Sequence, residues 1–129
     1  MEATISTKDA LNNLVSCIQS KQKEVEDSFE KLIDASENLT RKDLNDQDKV
    51  VWLENCEYLI FQLRVKLSYE QVQIKSTISS SGIPIQVLNI FKQRDVVIAS
   101  SIQRLNEIRD DVSVIQKLLW TKHNSNLWK

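Results

Sequence analysis

Residues 79–84 read Ser79-Ser80-Ser81-Gly82-Ile83-Pro84 and hold the only glycine and the only proline of a 129-residue chain. Gly82 suits the left-handed backbone that closes a helix, and Pro84 suits the first position of the next one. Ile83, standing before a proline, is pushed out of helical space. The stretch therefore predicts a helix-to-helix turn. Average usage would give roughly a dozen glycines and prolines in a chain of this size. Sheet folds and doubly wound folds need turn residues at nearly every connection, so a single Gly/Pro site means a few long elements, and helices are the expectation.

Working back from the turn, a helix is expected over about 48–80, with Leu53, Cys56, Ile60, Leu63, Leu67, Ile74 and Ile78 at spacings of three, four and seven. The same helix carries a second apolar row, Val51, Tyr58, Val65 and Val72, joined by Trp52 and Phe61. Two apolar faces need two sets of neighbours, which makes this helix the centre of a bundle or the one that meets a partner. The polar run Thr40 to Asp48 has no stripe, offers Asn and Asp as caps, and reads as the first connection. Before it, Leu11, Ile18, Val25, Leu32 and Leu39 recur every seven residues, with Leu14 and Ala35 at intermediate positions and Val15, Phe29 and Ile33 alongside. Ser6 or Thr7 followed by Asp9 starts this helix at about 7, and it runs to 39. Lys21 and Ser28 interrupt its second row, so it reads as a bundle member and not as a leucine zipper.

Beyond the turn a third helix is expected over about 84–122, on Leu88, Phe91, Ile98, Ile102, Leu105, Val112, Ile115 and Leu119, with Asp95 and Arg109 as interruptions. Residues 123–129 form a short tail containing Trp128. The predicted fold is all-α: one domain, residues 1–129, of three long amphipathic helices in an elongated hairpin or three-helix bundle with coiled-coil-like packing.

Composition narrows the function. The formal net charge is −1 and no block of Lys and Arg appears, so general nucleic-acid or anionic-membrane binding is not expected. No apolar run approaches the length of a membrane span, and Met1 to Asp9 lacks the apolar core of a signal peptide. Two cysteines without C-x-x-C spacing point to a reducing interior, cytoplasmic or nuclear. In that setting the sequon Asn38-Leu39-Thr40 is a chance match.

Residues for catalysis are scarce. His123 is the only histidine and lies at the end of the last helix, where an imidazolium complements the helix C-terminus. A phosphotransfer bundle would instead need its histidine within a helix. No Glu-x-x-His exists to go with the carboxylate pairs Glu54/Glu57 and Asp110/Asp111, so no metal or cofactor is expected. Cys17 and Cys56 read as small buried hydrophobes, and a single glycine excludes phosphate-binding loops.

What remains is packing. Val51, Trp52, Tyr58, Phe61, Val65, Val72, Trp120 and Trp128 are the candidate protein-interaction residues, since large aromatic and aliphatic side chains dominate interface energetics. The expectation is a non-catalytic helical subunit or adaptor of an intracellular complex, with other helical subunits or a second copy as partners. In outline the chain resembles the small helical subunits of kinetochore, Mediator and lysosome-organelle assemblies. The alternatives are a self-contained three-helix domain of spectrin-repeat or syntaxin N-terminal type and, with less in its favour, a helical signalling or phosphotransfer protein.

Overall fold

A computed structural model describes the backbone of residues 7–127 and the side chains of residues 8–122. Three helices, α1 (Thr7–Leu39), α2 (Asp46–Ser79) and α3 (Ile85–Leu127), pack into a three-helix bundle, with no strand among the described residues. α2 is central: it packs extensively on both other helices, whereas α1 and α3 touch each other least. The Lys66–Glu24 ion pair and the Arg64–Asn106 hydrogen bond tie α2 to α1 and to α3 along opposite chain directions.

Local chemistry sets the boundaries. Thr40 closes α1, its Oγ1 donating to the Glu37 carbonyl at 2.8 Å, and the Arg41 guanidinium bonds both Asp43 and Asn38 across the connection. That guanidinium holds the Asp43 carboxyl below its usual range by hydrogen bonding. Asn45, extended at φ −76 and ψ 170, accepts from the Asp48 amide at 2.8 Å and caps α2, with Asp46 and Asp48 in the positive first turn. α2 therefore starts two residues before the expected Asp48. At its far end Gly82 has φ 80, and the Pro84 carbonyl accepts from the Leu88 amide at 3.0 Å. α3 continues to Leu127 and so absorbs the start of the expected tail, because Lys122-His123-Asn124-Ser125-Asn126 contains neither glycine nor proline to end it. At about 1.5 Å per residue its 43 residues span roughly 65 Å.

The core is built by the expected stripes. Val25, Leu32, Ala35 and Leu39 of α1, Leu53, Cys56, Ile60, Leu63, Leu67 and Ile74 of α2, and Ile98, Leu105 and Val112 of α3 are buried. Phe29 joins them, with the Arg104 guanidinium 4.4 Å above its ring centroid. Toward the Gly82 turn the packing changes. Leu11, Leu14 and Ile18 of α1 and Leu88 and Phe91 of α3 are only half-buried, and a groove of about 290 Å³ opens between Val15 and Ile18 of α1 and Ile90 and Val97 of α3.

Between the two regions lies a buried polar layer. Arg94 is 3% exposed and donates to both carboxylate oxygens of Glu70, at 2.7 and 2.9 Å, and to the Gln22 side-chain oxygen. A bidentate guanidinium–carboxylate pair meets the hydrogen-bonding needs of two charges withdrawn from water, so neither is left uncompensated in the core. Its neighbour Asp95 is half-buried, with Oδ1 enclosed and lacking a hydrogen-bond partner among the described residues.

Candidate protein-interaction face

α2 positions the candidate residues through its own periodicity. Val51, Tyr58, Val65 and Val72 are seven residues apart, and in a helix of 3.6 residues per turn they fall along one gently drifting line. Phe61 and Tyr69 fill the gaps, so that Tyr58, Phe61, Val65, Tyr69 and Val72 follow one another at spacings of three and four. The line lies opposite the buried row. All six of these side chains stand in solvent, between 52% and 67% exposed.

Five of the eight expected interaction residues thus share one surface: Val51, Tyr58, Phe61, Val65 and Val72. Trp52 points elsewhere; it is half-buried and packs on the core from the edge of α2. Trp120 is 65% exposed but belongs to α3, where it lines a separate groove of about 450 Å³ with Val50, Leu53 and Leu119. Trp128 lies outside the described residues. Tyr69 is the member that the sequence reading left out, although its place four after Val65 and three before Val72 was a sufficient signal.

The middle of the face carries no charge, and its charges stand at the two ends. Its second heptad line reads Glu54, Phe61, Ser68, Lys75, all exposed. Gln62 donates to the Tyr58 hydroxyl at 2.7 Å, which steadies that ring without covering it. On the side toward α1, Lys66 pairs with Glu24 at 2.9 Å and draws its carboxyl below the usual range by hydrogen bond and charge. Toward α3, Arg64 bonds Asn106. The central rings and valines therefore have room to bury apolar area against another surface without stripping water from a charge.

The cysteines diverge. Cys56 is buried on the inner face, as expected, and burial followed by the charge of Glu57 pushes its thiol up to about 11. Cys17 is exposed, contrary to expectation, because one residue's rotation of about 100° carries it off the stripe that Ile18 occupies. The side chain of His123 lies outside the described residues. Among the described residues no group of three or more His, Cys, Asp or Glu is placed to hold a metal ion. No helix there is long and apolar enough to cross a membrane. No protein-family model matches the chain, and neither a curated protein nor a solved structure is detectably similar to it.

Proposed function

We propose that this chain is a non-catalytic helical subunit or adaptor of an intracellular assembly that acts by packing the outer face of α2 against a partner helix. The observation that carries the reading is the unbroken exposed row Tyr58, Phe61, Val65, Tyr69 and Val72. At 59–67% exposure, its three rings alone offer on the order of 350 Å² of surface, taking about 150–250 Å² per aromatic side chain. The largest apolar patch on a protein surface, of the order of a few hundred Å², is often functional. Its heptad spacing suits a helix better than a flat surface or a loop, because knobs at that period seat in the grooves of a second helix.

The test is affinity purification of the full chain from its native cells, beside Phe61→Glu. The reading expects stoichiometric association, with itself or with other chains, that Phe61→Glu abolishes while the helical circular dichroism signal is kept. Association that survives Phe61→Glu, or none at all, overturns it.

The closed core favours a second reading, a self-contained three-helix interaction domain of the spectrin-repeat or syntaxin N-terminal type. Val25 to Leu39 is sealed by α2 and α3 without help from another chain. In that reading the isolated chain is a stable monomer that presents a groove, such as that beside Trp120, instead of the α2 face.

A further inference from the structure

We propose that the occupant of the outer α2 face is a second copy of this chain, lying antiparallel across a two-fold axis level with Leu63. The inference rests on the reading above, that this face packs against a helix, and it names the helix.

The argument is one of self-complementarity. The face carries two heptad lines, Val51, Tyr58, Val65, Val72 and Glu54, Phe61, Ser68, Lys75, and all eight residues are exposed. The charge on it is asymmetric along the axis, with Glu54 near the start and Lys75 near the end. In a parallel pairing Glu54 would meet Glu54 and Lys75 would meet Lys75, and like charges at facing positions are repulsive. An antiparallel pairing reverses this. Each line then meets the other line of the second copy, and Glu54 of each copy comes one layer from Lys75 of the other, twice per dimer.

Side-chain size agrees. With the axis level with Leu63, Phe61 meets Val65 of the second copy and the bulky Tyr58 meets the small Ser68, so large residues face small ones in the two central layers and their symmetry mates. The two charged residues, Glu54 and Lys75, fall in the end layers, at the rim, where interfaces keep their charges. Opposed helix dipoles add to the preference for this direction. A two-fold interface must be its own complement, and this face meets that condition in charge and in volume. The product is a six-helix assembly in which the two central α2 helices are covered on both sides.

The experiment uses the purified full chain. Light scattering across concentration is expected to give a dimer that dissociates on dilution. Glu54→Lys and Lys75→Glu, each alone, put like charges together twice and are expected to weaken the dimer by about tenfold. The double variant Glu54→Lys/Lys75→Glu is expected to return to within about threefold of the original, because each end is paired again. In a Cys17→Ala background, a mixture of Tyr58→Cys chains with Ser68→Cys chains is expected to form the mixed disulfide on oxidation, with neither chain alone doing so efficiently. All substituted positions are exposed, and circular dichroism checks that each variant is folded. A monomer at every concentration overturns the proposal, as does a double variant no tighter than the singles, or efficient cross-linking of Tyr58→Cys chains with each other. If the chain is monomeric alone while Phe61→Glu still abolishes co-purification of another protein, the self-pairing falls and the α2 interface stands. If Phe61→Glu changes neither, both fall.

Discussion

One helix, α2, carries two apolar rows of similar length and opposite fate. Leu53, Cys56, Ile60, Leu63, Leu67 and Ile74 are buried by α1 and α3, while Val51, Tyr58, Phe61, Val65, Tyr69 and Val72 remain in solvent. The rows differ in shape more than in hydrophobicity. The inner one is aliphatic apart from Cys56 and fits the narrow space between three helices, whereas the outer one mixes valine with large rings and lets Glu54, Ser68 and Lys75 into its second line. A three-helix bundle covers one side of each member, so a helix with two apolar sides is only half satisfied by it. The inner row makes the fold and the outer row is surplus to it.

The hardest way to break the inner face is at its one charged position. Glu70→Ala leaves the Arg94 guanidinium buried without its carboxylate, and the expected loss is about 3–5 kcal/mol in chemical denaturation. Replacing both partners with apolar residues, Glu70→Leu with Arg94→Met, is expected to cost far less, since no uncompensated charge remains. A loss for the pair equal to that for Glu70→Ala alone would mean that the layer contributes net stability.

Next in size is the direct contrast between rows. Leu63→Ala or Ile60→Ala is expected to destabilise by about 2–5 kcal/mol through lost contacts and a residual cavity. Phe61→Glu and Val65→Glu, measured on the same chain held monomeric by dilution, are expected to stay within about 0.5 kcal/mol. Equal losses on both faces would show that the outer row is covered within the monomer.

Gly82→Ala tests the turn that lets α3 return beside α2. An added Cβ meets nothing within 4 Å, so the cost is that of φ +80 for an L-residue, about 1–2 kcal/mol. A change near zero would mean that the turn relaxes to another conformation.

The smallest effect separates the buried cysteine of the inner α2 face from the exposed one on α1. Cys17 is exposed and Cys56 buried, so at neutral pH a thiol reagent should modify Cys17 and leave Cys56 untouched until the chain unfolds. The Cys56 thiol ionises near 11 when folded and nearer 9.0 when unfolded. Its contribution to stability is therefore fully present below about pH 9 and declines as pH rises toward 11, where the unfolded state has already released the proton. Denaturation curves at pH 8, 9, 10 and 11 should show that decline, and Cys56→Ala should lessen it.

Much of this was legible along the chain. The heptad stripe placed α1 at Thr7–Leu39, and the single Gly/Pro site placed the second turn, because both depend on interactions within a few residues. The existence of two rows on α2 was legible for the same reason, since periodicity is local. Helix ends were read less well where, as after Lys122, the sequence only weakens the pattern without breaking it. Periodicity, the same for both α2 rows, does not say which one turns inward; the rings and valines marked the outer row as the interaction side, and the packing of α1 and α3 on the other row left it exposed. Arg94 and Glu70 lie 24 residues apart in sequence with nothing along the chain to pair them; the antiparallel packing of α2 and α3 brings them to 2.7 Å in the core. The sequence by itself determined the helices, their number and the surplus of apolar surface on the middle one. Tertiary structure decided which surface was left over, because burial depends on neighbours that are distant along the chain and periodicity registers only those nearby.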